Sequence, residues 1–370
     1  MEQIQIEMGP VKGGGAPVFL APAAFLRRAV RQPEAPGKGK SFMKATNPGK
    51  STAVRKRRRF TQDDFQLFLL SLPTTVWYLL FCFLPMFGLI IAFKKFKVAP
   101  GKGFLWSLFY NSDWCGLDNF RFLFANNKET TINMFRNTIG YNVIFIVLGI
   151  VIPVALAIMI NHLRSEKLAK VTQTAMFLPH FLSWVVVGYF VFAFLSTDNG
   201  LVNRTILAFG GETVKWYQAE ALGYWPWFLV FLHMWKTIGY SMVVYLASIK
   251  GIDESLYEAA MIDGASKWQQ TKYITLPMLK TIMIIMFIMA VGKIFNSDFG
   301  LFYRTTRNSG SLSSVYLTLD VYVYNSIFNN PRPVYGYISA AGFLQSVLGC
   351  LTMIAANAVV RKVDNESALF

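Results

Sequence analysis

Lys236 and Lys293 each stand inside a long apolar run, in FLHMWKTIGY and MAVGKIFNSD. A cation in such a run faces a bundle interior, a water-filled cavity or a pairing partner. The two therefore point to a polar path that favours an anionic group. At ~1.5 Å per helical residue both lie ~18–20 Å from their respective run ends. Trp184, Tyr189 and Asn296 join them as weaker pathway candidates, because aromatic faces and an amide suit a polar ring-bearing solute, with core packing as the competing role for each. Two structural roles compete with this reading. Lys293 snorkels outward or pairs with Asp298, and Lys236 pairs with a residue of a partner subunit.

Other chemistry finds little support. His162, His180 and His233 have no HExxH or CxxC companion spacing, which argues against a metal site. Three cysteines exclude a disulfide framework: Cys82 and Cys350 fall in apolar runs and Cys115 stands alone. NPGKST at Asn47–Thr52 imitates the end of a phosphate-binding loop. Lys44 occupies the position where that loop needs Gly, and no apolar strand precedes it. There is no further nucleotide motif, no Ser–His–Asp constellation and no internal repeat.

The elements that must position these residues follow from composition. The chain has 370 residues, is 54% hydrophobic and 15% charged, contains 33 Phe, and has a mean hydropathy of +0.39. Six apolar runs, about 65–93, 139–160, 174–196, 224–249, 281–295 and 337–360, are candidates to cross hydrocarbon, which takes roughly 20 helical residues. The fifth is short and broken by Lys293. This predicts an all-α polytopic membrane protein of six transmembrane helices, since a β-barrel shows shorter alternating segments.

The run RKRRR at Arg55–Arg59, just before the first span, outweighs Lys94, Lys95 and Lys97 just after it, so both termini are expected in the cytoplasm. Much of the +16 net charge is then topology, which argues against nucleic-acid binding. Residues 1–60 read as a disordered basic cytoplasmic tail and 61–370 as the transmembrane domain. In the tail, APVFLAPAAFL at Ala16–Leu26 carries two prolines, is too short to span and lacks a basic region ahead of it. Met43 is an alternative start. The outer loops carry aromatic segments, and SLSSVYLTLDVYVYNSIF is expected to form a short helix lying at the outer surface.

The loop Gly251–Lys280 does not read as a bare connector. Ser255-Leu-Tyr-Glu258 matches a capping box at a helix start. Leu256, Ala259, Ala260 and Asp263 then share a helical face, with small residues that admit a close neighbour. Gly264 ends that helix without Cβ strain. A second short helix is expected over Ala265–Tyr273, anchored by Trp268 and broken at Leu276-Pro277.

Glu258-Ala259-Ala260, Gly264 and Ile274-x-Leu276-Pro277 together resemble the EAA motif of ABC importer permeases, in the loop where that family carries it. Over roughly residues 62–370 the chain is similar to carbohydrate-uptake permeases of the LplB type. The similarity runs through PMFGLIIAFKKF, LPHFLSWVVVGYF and AAGFLQSVLGCLTMIAANAVVRK. Two positions depart from the pattern: Thr271 where an aromatic is usual, and Lys280 where a second proline often sits.

The resemblance implies a MetI-like permease fold with cytoplasmic coupling helices at 253–277. Glu258, Ala259, Ala260, Asp263, Gly264, Ile274, Leu276 and Pro277 would serve the coupling to an ATPase. It further implies a multi-pass subunit of a bacterial plasma (inner) membrane, not itself an enzyme and without a cofactor of its own. ATP and Mg would belong to two cytoplasmic ATPase subunits. The remaining partners implied are a second homologous permease subunit, an extracellular solute-binding protein, an oligosaccharide substrate that includes uronate among its possible sugars, and the lipid bilayer. An ion-coupled carrier or a membrane-embedded enzyme is the competing class, and a sensory subunit on the same scaffold a third. The first would show inverted halves with broken helices and the second clustered catalytic groups; neither pattern is seen.

Overall fold

Backbone that crosses hydrocarbon must satisfy its own hydrogen bonds, so the apolar runs become helices. The computed structural model describes residues 62–125, 128–328, 335–364 and Ala368. The basic tail of residues 1–60, with RKRRR and the NPGKST segment, lies outside the described residues.

The first span, α1 (Asp64–Phe93), leads to a small outer hairpin. There β1 (Lys94–Lys95) precedes α2 (Phe104–Tyr110) and pairs antiparallel with β2 (Asp113–Trp114), Lys94 opposite Trp114. Lys94 Nζ donates to Leu108 O at 2.7 Å, and Lys97 pairs with Asp113 at 3.0 Å. These lysines are therefore tied into a folded hairpin. Asn119, in α3 (Asp118–Ala125), donates to Ala92 O and Lys94 O at 2.9 Å and fixes the hairpin to the end of α1.

The remaining elements are α4 (Lys128–Asn161), α5 (Glu166–Phe177), α6 (Trp184–Leu195), α7 (Leu201–Ala208) and α8 (Trp225–Lys250). They are followed by α9 (Glu254–Ile262), α10 (Lys267–Val291), α11 (Ser313–Tyr316), α12 (Leu319–Phe328) and α13 (Tyr335–Val363). By length and composition α1, α4, α8, α10 and α13 can cross a membrane, and α5 with α6 supplies a sixth span bent by 95°.

Among the described residues, three buried clusters hold the helices together, the smallest joining Leu123 of α3, Met134 of α4, Leu319 of α12 and Ala341 of α13. Toward the α9 side, Val154, Ala157 and Ile160 of α4 meet Met242, Tyr245 and Ile249 of α8, with Leu279 of α10. Toward the α7 side, Tyr141 and Phe145 of α4 meet Val187 and Val191 of α6, Trp225 and Leu229 of α8, and Phe302. Burying each such side chain contributes about 1.5–3 kcal/mol against leaving it in water. In lipid the driving force is instead close packing and paired polar groups.

Three expectations are corrected. The third span is not continuous: Pro179 sits in a 3-10 turn (Leu178–Phe181), Leu182 is extended, and Ser183 caps a new helix by accepting from Val186 N at 3.3 Å. The fifth span ends at Val291 and Gly292 caps it, so Lys293 lies in the turn beyond the helix. The segment 311–328 forms two short helices, α11 and α12, rather than one, and one side of it packs against the bundle. Leu312, Tyr316, Leu319 and Val321 are buried. Asn137 donates to Ser314 O and Leu317 O at 3.0 and 3.1 Å, and Tyr141 OH to Val315 O at 2.8 Å. Its carbonyls satisfy polar groups of α4, which draws it inward.

Candidate functional site

The loop Gly251–Lys280 folds as two helices around one turn. Asp253, not Ser255, is the N-cap of α9, its Oδ1 accepting from Ser255 N at 3.0 Å. The capping box belongs instead to α10, where Ser266 N donates to Gln269 Oε1 at 2.7 Å and Gln269 N to Ser266 Oγ at 3.3 Å. Between them Gly264 takes φ +77°, as the sequence requires. Ala265 N bonds to Ala260 O at 2.8 Å and Gly264 N to Met261 O at 3.1 Å, which is a Schellman closure of α9.

Pro277 does not break α10. A π turn at Thr271–Thr275 precedes it, and the helix continues through Ile274, Leu276 and Pro277 to Val291. Placed next to that turn, the proline stands in the first turn of the following α segment, where its missing N–H costs nothing.

Two side-chain bonds tie the loop to the bundle. Tyr257 OH and Thr275 Oγ1 are 2.9 Å apart, and His162 Nε2 lies 3.0 Å from Thr271 Oγ1. The Thr271 hydroxyl also donates to Lys267 O at 3.0 Å, so its single proton is committed and His162 Nε2–H is the donor toward it. Thr271, which departs from the family pattern, thus anchors the second helix to the end of α4.

Partial burial, and then the nearby Lys267 charge, hold the His162 ring below its ordinary value of 6.5. A folded ring that resists protonation stabilises the joint fully above pH 6.5, and that contribution falls away as pH drops below it. Amide hydrogen exchange at 271–275 is therefore expected to speed up between pH 7.5 and 5.5 beyond the intrinsic trend, and His162→Gln to remove the extra acceleration. Equal behaviour of the two proteins would refute this.

What the loop presents outward is uncovered. No residue of α9 is buried: Glu258, Ala259 and Asp263 are exposed, Ala260 is half-buried, and Ile262 and Trp268 are 87% and 72% exposed. A contiguous apolar surface edged by Asp253, Glu254, Glu258 and Asp263 is the composition of a docking face.

The second region surrounds the bend in the third span. Lys236 Nζ donates to His180 O at 2.9 Å and lies 5.4 Å from the centre of the Trp184 ring. Trp184 Nε1 donates to Asp298 Oδ2 at 2.7 Å, and Asp298 Oδ1 accepts from Leu301 N at 3.3 Å. Lys236 and Trp184 therefore hold the bend together with Asp298. Asp298 makes no ion pair with Lys293 among the described residues; Lys293 and Asn296 are exposed, and Asn296 O accepts from Asn142 Nδ2 at 2.8 Å.

Tyr189, 72% exposed, faces a cleft of about 220 Å³ together with Gly188, Phe192, Tyr303, Arg304 and Arg307. The two arginines were not singled out from sequence. Their i, i+3 spacing in LFYRTTRN, beside tyrosine, was the available signal. Among the described residues no group of His, Cys, Asp and Glu is arranged to hold a metal ion.

Residues 146–365 match the family described as binding-protein-dependent transport system inner membrane component. The protein LplB of Bacillus subtilis (strain 168) is 30% identical over 82% of this chain and 91% of its own. The polygalacturonan/rhamnogalacturonan transport system permease protein YteP of the same organism is 31% identical over 84% and 93%. A chain of a bacterial alginate ABC transporter, crystallised in complex with an alginate pentasaccharide-bound periplasmic protein, superposes with a TM-score of 0.68. It is 29% identical and covers 81% of this chain and 96% of that one.

Proposed function

This chain belongs to the family of binding-protein-dependent transport system inner membrane components, and from that premise we propose that it forms one half of a transmembrane pathway for oligosaccharide import. It is a multi-pass permease subunit with a MetI-like fold and is not itself an enzyme. A second, homologous permease subunit supplies the other half. Two cytoplasmic ATPase subunits bind ATP and Mg and drive the cycle, and an extracellular solute-binding protein delivers the sugar. Such a subunit sits in a bacterial plasma (inner) membrane with both termini in the cytoplasm.

The observation that carries the motor coupling is the uncovered face of α9 and the α9–α10 turn. Glu258, Ala259, Ala260, Asp263 and Gly264 form the tip, while Ile274, Leu276 and Pro277 lie where α10 enters the bundle. No residue of α9 is buried, and apart from the Tyr257–Thr275 contact the helix leaves its surface uncovered in this chain alone. Exposed Ile262 of α9 and Trp268 of α10 fit a groove of a partner. The substrate reading draws on the two saccharide transporters to which the chain is similar. In the pathway, Lys236 and Trp184 set the bend, Tyr189 offers a ring face, and Lys293 and Asn296 stand exposed in the turn beyond α10.

Affinity purification of the chain from its native membrane, followed by ATP-turnover measurements, tests the reading. An ATPase is expected to co-purify, and turnover is expected to rise when a loaded solute-binding protein is added. Uptake that follows an ion gradient, with no ATPase retained, would overturn it in favour of a secondary carrier.

A further inference from the structure

Five observations meet in the cleft between α6 and the Gly300–Arg307 segment. First, Arg304 and Arg307 both line it, and among the described residues neither has a carboxylate within ion-pair distance. Second, the central carbon of the Arg307 guanidinium lies over a side chain of the same cleft, 3.9 Å from the centre of the Phe192 ring. That cation–π contact positions the fork without a carboxylate partner.

Third, the backbone is bent to put it there. Arg307 and Asn308 have φ of +55° and +53°, uncommon for residues with a Cβ. The surroundings over-determine that conformation. The amides of Asn308 and Asn325 bond reciprocally at 3.1 and 2.8 Å, Tyr316 OH donates to Asn308 Oδ1 at 3.0 Å, and Ser309 Oγ to Tyr217 O at 2.8 Å. Strain held in place this firmly marks functional positions.

Fourth, Gly188 lets the segment approach. A Cβ there would stand 2.9 Å from Arg304 O, so only glycine allows α6 to lie against the backbone that carries Arg304. Fifth, the cleft continues past Phe192 and Arg307 into a second one of about 280 Å³, reaching Ser196, Asp198 and Tyr217. Together they fall in the range of a small-molecule site, about 300–1,000 Å³.

Lys236 does not fill the same role, because its ammonium is spent on His180 O and the Trp184 ring. The free cations of this region are guanidiniums, whose geometry matches a planar carboxylate bidentately. Tyr189 beside them provides a flat exposed face on which a pyranose ring rests, while Tyr303 is stacked on Phe299 and backs the cleft. A neutral sugar would leave two forks unpaired in a partly closed cleft.

We propose that this cleft is a carboxylate-reading subsite for a uronic-acid-containing saccharide, in which Arg304 and Arg307 hold the carboxylates and Tyr189 supports the ring. The assignment rests on the importer reading and adds the charge of the substrate and the residues that select it.

The test uses the full transporter, reconstituted with its partner permease, ATPase and solute-binding protein in liposomes, with trigalacturonate and maltotriose as probes. Wild type is expected to accumulate trigalacturonate under ATP. Arg304→Gln with Arg307→Gln should raise KM for it at least about tenfold. Arg304→Lys with Arg307→Lys, which keeps charge but loses the fork, should fall between. If the glutamine pair fails to assemble, the lysine pair carries the same comparison. An unchanged KM for trigalacturonate, or a wild type that takes up maltotriose alone, overturns the subsite and leaves the importer reading standing. A wild type that accumulates neither sugar under ATP overturns both.

Discussion

Glu258→Lys is expected to abolish ATP-driven uptake while the chain still inserts and folds. Glu258 is exposed at the middle of α9, beside Ile262, and makes no ion pair among the described residues of this chain. Reversing its charge therefore removes nothing from the permease's own packing. In a docked interface, breaking a hydrogen-bonded charge contact costs about 2–5 kcal/mol. At about 1.4 kcal/mol per tenfold, affinity for the ATPase should drop by roughly 30-fold or more. Gly264→Val should act through geometry, since a β-branched residue at φ +77° costs about 1–2 kcal/mol and spoils the turn. ATPase retained on the purified permease pair, scored against protease protection of the inserted chain, separates loss of docking from loss of folding. Undiminished capture by both variants would show that α9 is not the docking element.

Gly239→Ala should lower stability where a glycine-to-alanine change in a helix ordinarily raises it by roughly 0.5–1 kcal/mol. Gly239 lies in α8 against the end of α5. A Cβ there would overlap the Met176 carbonyl and stand 2.9 Å from Phe177 Cα. The atoms it meets are backbone, which does not swing aside as a flexible side chain would. Overpacking of this kind costs typically about 1–3 kcal/mol. It would also push the bend away from Lys236, three residues earlier on the same helix. Gly140→Ala is the matched control, because its Cβ meets nothing of this chain within 4 Å. Thermal unfolding of the two variants in detergent should shift in opposite directions. A Gly239→Ala protein as stable as wild type would mean that the α5–α8 contact is looser than described.

What could be read from sequence was what is local. Apolar run length identified the spans, and Gly264 announced its turn because left-handed backbone selects glycine. The capping residues and Gly264 marked a loop that folds, as it does in α9 and the start of α10. The misplacements have two origins, competition between neighbouring caps and contacts between distant residues. Ser255 fits a capping box by spacing, but Asp253 reaches the free N–H first, and Ser266 with Gln269 forms the box at the next helix. Pro277 looks like a helix break until the π turn at Thr271–Thr275 absorbs it, with Thr271 held by His162 and Thr275 by Tyr257.

The 95° bend depends on Lys236 reaching His180 and on Gly239 admitting Met176, pairings that no window along the chain can display. The arginine cleft stayed hidden for the same reason. Gly188 and Phe192 meet Arg304 and Arg307 only once α6 and the segment after α10 are packed together.

The continuity of α10 has a mechanical consequence. Its 25 residues run unbroken from the turn after Gly264 to Gly292, about 38 Å at 1.5 Å per residue. Such a rod is a lever. A tilt of about 10° around its midpoint displaces each end by roughly 3 Å in opposite directions. One end is the uncovered α9–α10 turn. The other leads within a few residues to Asp298, which grips Trp184 at the elbow of the third span. A push at the tip thus arrives at the elbow as a pull, with no relay of side chains needed between them.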